Sequence, residues 1–131
     1  PISAQWGYEN RTTAIRIPGG DLASKRIEHR VAGGDTNPYL VMTAILGSAL
    51  LGIEKKLNPI KPVMNNAYNN SAENLALNWE DAMNYFEDNK DIKKIFSNEI
   101  IENLVRTKRQ ELNEFKKIES SKHWKYYVSA I

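Results

Sequence analysis

The 16 residues from Pro38 to Ile53, PYLVMTAILGSALLGI, contain no charged side chain, and this run constrains the fold more than any other feature. It is shorter than the roughly 18 or more apolar residues expected of a spanning helix. Thr43, Gly47, Ser48 and Gly52 also interrupt it. The segment therefore reads as a buried helix of a soluble protein, from about Pro38 to Lys55. Asp35, Thr36 or Asn37 can cap it, and Pro38 suits the first turn. A helix apolar nearly all round needs other structure on several sides.

The remaining composition sets wide bounds. A chain of 131 residues fits one domain, and 41% hydrophobic content allows a modest core. A net charge of +2 is too small for wholesale binding to nucleic acid or an anionic membrane, so any functional charge is local. The absence of cysteine excludes disulfides, thiolate metal sites and cysteine nucleophiles, and is compatible with the cytoplasm. The opening PISAQWGYENR has no initiator Met and no apolar signal region, so a start within a longer sequence is expected.

Along the chain, residues 1–35 read as a β-rich part and residues 36–131 as a helical part of one unit. Two short alternating runs, Thr12 to Ile17 and Arg26 to Val31, predict a short antiparallel strand pair around a loop that opens with Pro18-Gly19-Gly20-Asp21. Residues 57–75, with Pro59, Pro62 and six asparagines, read as an irregular connection. Asn78 predicts the cap of a helix from Trp79 to Glu87, and a further turn is expected over Asp91 to Phe96. Ser97 or Asn98 starts a long helix to about Ile118, on which Ile100, Ile101, Leu104, Val105, Leu112, Phe115 and Ile118 recur roughly at helical spacing. The tail from Lys122 to Ile131 places Trp124, Tyr127, Val128 and Ile131 on one face, for docking to a larger body. The fold class is α+β.

Side chains alternate across a strand, so Arg26, Glu28 and Arg30 share one face while Ile27, His29 and Val31 take the other. The first face is ionic; the second reads as packing. With Arg11 and Arg16, four arginines fall within 20 residues, and one carboxylate, Glu28, is held between the last two. Arginine offers a fixed fork of donors suited to phosphate and carboxylate oxygens. A carboxylate among them can balance charge or hold a divalent cation. An exposed face of neutralising ion pairs explains the same residues.

Three blocks in order, Asn10-Arg11-Thr12-Thr13-Ala14-Ile15-Arg16-Ile17-Pro18, Arg26-Ile27-Glu28-His29-Arg30 and Asn37-Pro38-Tyr39-Leu40, resemble C-terminal signature blocks of the glutamine synthetase family. The run Glu28-His29-Arg30-Val31-Ala32-Gly33-Gly34-Asp35 lacks the aromatic residue and Pro-Asp pair usual in plain glutamine synthetases. It resembles the branch that joins glutamate to polyamines or other amines, the γ-glutamylputrescine synthetase-like proteins.

The resemblance implies a C-terminal fragment of an ATP-dependent ligase that forms γ-glutamyl phosphate and then an amide with ammonia or an amine. It implies that Arg11 contacts the transferring phosphoryl group, that Arg16 and Arg26 contact nucleotide phosphates, and that Arg30 steadies the γ-carboxylate. It implies that Glu28 is a ligand of Mg²⁺ or Mn²⁺, and that the parent is a homo-oligomeric ring, a dodecamer, in the cytoplasm. The family's other metal ligands, its glutamate-binding loop and its N-terminal β-grasp domain lie outside these residues. The chain alone is therefore expected to be inactive and to bind nucleotide weakly.

Other residues carry structural readings. His29 and His123 have no second ligand at metal spacing. Trp79, Tyr85, Phe86, Trp124, Tyr126 and Tyr127 read as core or docking residues, and RTKRQELNEFKK (106–117) as a salt-bridged helix face. A different function class is a non-catalytic helical association module whose arginines bind an anion.

Overall fold

The computed structural model describes residues 1–70 and 72–128. The chain forms two compact units, one built from Pro1–Thr36 and Gly52–Leu77, the other from Asn37–Leu51 and residues from 78 onward.

The first unit holds a three-stranded sheet in the order β1 (Trp6–Tyr8), β2 (Ile15–Ile17), β3 (Glu28–His29). The expected antiparallel pair is present as β2 and β3, with Arg16 opposite Glu28 and Ile15 opposite His29. Both strands are shorter than their alternating runs. β1 was not foreseen, and it lies parallel to β2 with Trp6 opposite Ile15 and Tyr8 opposite Ile17.

A loop over residues 60–67 closes on β1. The Val63 N–H donates to the Trp6 carbonyl at 2.9 Å, and the Trp6 indole N–H donates to the Ile60 carbonyl at 2.7 Å. Gly7 makes this approach possible, because a Cβ there would stand 2.6 Å from the Val63 carbonyl oxygen. Ser3, Gln5, Thr13, Ala14, Val63 and Ala67 are buried in this unit. Polar groups thus supply much of its interior.

The face assigned to packing is not covered. Ile27 is 70% exposed, and His29 and Val31 are exposed too. Glu28, on the ionic face, is only partly exposed. Alternation partitions the residues as expected, but the ionic side chains saturate one another and draw together, leaving the apolar side chains outward.

The second unit is helical. Helix α1 (Pro38–Glu54) begins where Asn37 accepts bonds from the Tyr39 and Leu40 N–H groups. Asn78 caps α2 (Trp79–Asp88), a short α3 spans Ile92–Ile95, and Ser97 caps α4 (Asn98–Phe115). The expected helices are therefore present with their expected caps. The last described helix is α5 (His123–Val128), and Ile131 lies outside the described residues.

Phe96, Ile101 and Val105 form the core of this unit, with Leu40, Ala44, Phe86, Ile92 and Ile95 against them. Gly47 lets α1 meet α3, since a Cβ there would come within 2.6 Å of Ile95. Arg109–Glu87 and Lys116–Glu80 ion pairs tie α4 to α2, while Lys108–Glu111 and Lys117–Glu114 are the local pairs that the salt-bridged reading of 106–117 implies. Tyr127 donates to Glu111 at 2.6 Å, whereas Trp124 and Val128 face solvent. His123 lies against Phe115, and its Nε2 is 2.9 Å from the Ile118 carbonyl oxygen.

No residue of α1 is fully buried. Tyr39, Met42, Leu46, Leu50 and Ile53, spaced by three and four, form a stripe along the helix that runs from 52% to 82% exposed. Among the described residues no helix is long and apolar enough to cross a membrane. An uncharged apolar stripe of this length favours association in water. The isolated chain is expected to gain mass with concentration in sedimentation velocity, and Leu46→Lys to reduce that gain. A monomer at every concentration would contradict the expectation.

Candidate functional site

Arg16 sits at the centre of the sheet, on β2, and its guanidinium joins all three strand segments. Nη1 donates to Glu28 on β3 at 2.9 Å. Nη2 donates to Glu9, just after β1, at 2.7 Å. The side chain is only 11% exposed, and Nε is buried without a hydrogen-bond partner among the described residues. Two carboxylates on one fork hold this cation firmly.

Glu28 is shared in turn. One oxygen accepts from Arg16 and the other from Arg26 at 3.1 Å, while Arg26 also donates to the Ser24 carbonyl at 3.2 Å. The guanidinium of Arg16, then that of Arg26, holds the Glu28 carboxyl below its ordinary value. Glu9 is lowered as well, first by the Gly19 N–H that donates to it and then by Arg16, with the charge of Arg11 adding to the effect. Both carboxylates raise Arg16.

Arg30 is bound differently. Its guanidinium donates to the backbone carbonyl of Arg11 and reaches that of Thr13 at 3.4 Å. Its own N–H donates to Ala14 at 2.9 Å. Arg30 is thereby fixed against the turn that carries Arg11, whose side chain is exposed.

The structure thus joins Arg16, Arg26 and Glu28 directly, and brings Arg30 onto the backbone of Arg11. It adds Glu9, which sequence reasoning missed. Glu9 lies outside the alternating runs and has a left-handed backbone, with φ of 49°. No spacing rule marks such a position.

Phosphate oxygens suit this cluster: permanently charged forks present N–H donors, and the two carboxylates keep them from repelling one another apart. A divalent cation is another matter. It takes about six oxygen ligands, whereas both oxygens of Glu28 are engaged by arginine. Among the described residues no group of three or more His, Asp or Glu is placed to hold a metal. The described residues do not make a metal centre by themselves.

Residues 1–127 match the family model described as glutamine synthetase, catalytic domain. The chain belongs to that family. It is 39% identical over 115 residues to glutamate–isopropylamine ligase from a Pseudomonas species, covering 86% of this chain and 25% of that protein. It is 35% identical over 118 residues to γ-glutamylputrescine synthetase PuuA from Escherichia coli K12, covering 90% of this chain and 25% of that protein. In structure it resembles apo GmaS without ligand, with a TM-score of 0.78 and 27% identity over 99% of this chain and 30% of that one. The chain spans about a quarter of the length of the curated relatives it matches.

The lowered carboxyl of Glu28 gives a pH test. A depressed folded value stabilises the fold above the unfolded value of 4.5, and the contribution is lost as pH falls through the folded value. Urea midpoints from pH 7 to pH 3 are expected to favour wild type over Glu28→Gln at the upper end. The two should converge as the solution is acidified below pH 4.5. A gap of constant size across the range would show that the ion pairs contribute nothing.

Proposed function

We propose that this chain is the phosphate-handling portion of an ATP-dependent ligase that activates glutamate and joins it to an amine or ammonia. The carrying observation is the linked set of Arg16, Glu28 and Arg26, with Arg30 fixed to the turn of Arg11, in a chain of this family. In this reading residues 1–131 are part of one catalytic domain of a cytoplasmic homo-oligomer, a ring of subunits.

The chemistry runs in two displacements. An oxygen of the glutamate γ-carboxylate attacks the terminal phosphorus of ATP, and the bond to the bridging oxygen breaks to release ADP. The amine nitrogen then attacks the acyl carbon, loses a proton, and expels phosphate to leave an amide. Phosphoryl transfer calls for positioning and charge neutralisation more than covalent help. Arg16 and Arg26 hold nucleotide phosphates, Arg11 meets the transferring phosphoryl group, and Arg30 steadies the γ-carboxylate and its acyl phosphate. Donors fixed before reaction stabilise developing charge without reorganising.

Glu28 would serve as one ligand of Mg²⁺ or Mn²⁺ only with further oxygen donors from outside this chain and with release of an arginine. An amine acceptor is favoured over ammonia by the names of two relatives, an isopropylamine ligase and a putrescine ligase.

In the full-length polypeptide that carries this chain, Arg30→Ala is expected to lower kcat by about 10²-fold or more, the cost typical of one donor aimed at developing charge. Phosphate release dependent on glutamate and amine measures it. Near-normal turnover with an intact fold would remove Arg30 from the site. Calorimetry of the isolated chain with ATP and Mg²⁺ is expected to show no micromolar binding.

A further inference from the structure

The turn at 10–13 is held from the side by the loop at 60–67, and one amide makes most of the connection. Asn10 donates through Nδ2 to the carbonyls of Val63 at 2.9 Å and Asn65 at 2.8 Å. Its Oδ1 accepts from the Thr12 N–H at 3.0 Å and the Thr12 hydroxyl at 2.6 Å. Two donors and two acceptor sites are thus all used, and the partners fix which end is nitrogen. The Thr12 hydroxyl also accepts from the Ala67 N–H at 2.9 Å. Thr13, fully buried, lies with its hydroxyl 2.8 Å from the carbonyls of both Asn10 and Ile15, closing the turn from within.

This turn does two things for the arginines. It carries Arg11 covalently, and its carbonyls at 11 and 13 receive the Arg30 guanidinium. Arg16 and Arg26 are anchored separately, by Glu9 and Glu28. The site therefore has two supports, one ionic and one built on amide bonds.

We infer that Asn10, with Thr12, is a positioning residue that sets Arg11 and Arg30 by clamping their turn to the loop at 63–67. The inference rests on the ligase reading and concerns the half of the cluster that faces the transferring group. Small displacements of a positioned group cost large factors in rate. Losing the clamp is expected to act on kcat while leaving nucleotide capture, which Arg16 and Arg26 perform, nearly unchanged.

Asn10→Asp keeps the acceptor and removes both donors; Thr12→Val keeps the shape and removes the hydroxyl. In the full-length polypeptide each is expected to lower kcat per folded molecule at least about tenfold, with KM for ATP moving less than about threefold. Arg11→Ala is measured alongside. If Arg11→Ala lowers kcat while both clamp variants keep the wild-type value, or raise KM for ATP instead, the positioning role is overturned. If Arg11→Ala turns over normally, Arg11 leaves the site and the inference falls while the ligase reading stands; if the wild-type polypeptide releases no glutamate-dependent phosphate, the ligase reading itself falls. Should Asn10→Asp fail to fold, Thr12→Val decides alone, since it leaves the volume of the site unchanged.

Discussion

One guanidinium, that of Arg16, holds together a sheet too small to hold itself. Its strands have three, three and two residues, and isolated ladders of that length are marginal in water. Arg16 reaches a carboxylate at the end of β1 and another on β3, so each outer segment is tied to the central one by charge as well as by backbone bonds. A lysine could not do this, because its point charge lacks the two-pronged geometry that spans both partners.

The same arrangement prepares the chemistry. Arg16 and Arg26, both held by Glu28, would repel, but Glu9 and Glu28 offset part of their charge and fix where the two point. On the proposed reading, incoming phosphate oxygens would replace carboxylate oxygens on forks that are already in place. That exchange asks little reorganisation of the protein, which is the condition under which charged donors act most strongly. The cost falls on Glu28, which cannot serve arginine at both oxygens and a cation at once.

Much of this was legible in the sequence, and the parts that were not share a physical reason. Pro38, Asn78 and Ser97 announced their helices because capping is local chemistry, confined to three or four neighbouring residues. The antiparallel neighbourhood of β2 and β3 followed from two alternating runs joined by a turn, whereas the register that sets Arg16 opposite Glu28 did not. β1 escaped because its three residues show no period, and because parallel neighbours ordinarily need a longer crossover than the few residues between Tyr8 and Ile15. The loop at 60–67 escaped for a related reason: its attachments run from Asn10 and Trp6 to backbone carbonyls, which every residue possesses. The outward turn of Ile27 and Val31 reversed the expected inside and outside. The ion pairs engage Arg16, Arg26 and Glu28 on one face, while Ile27 and Val31 meet no covering element among the described residues.

The most direct test of the central claim is a crystal structure of the full-length polypeptide with a non-hydrolysable ATP analogue and glutamate. Guanidinium nitrogens of Arg11, Arg16 and Arg26 within about 3 Å of phosphate oxygens, with Arg30 at the γ-carboxylate, are the predicted result. An analogue bound elsewhere, with these side chains still paired only to Glu9, Glu28 and the backbone, would contradict the account.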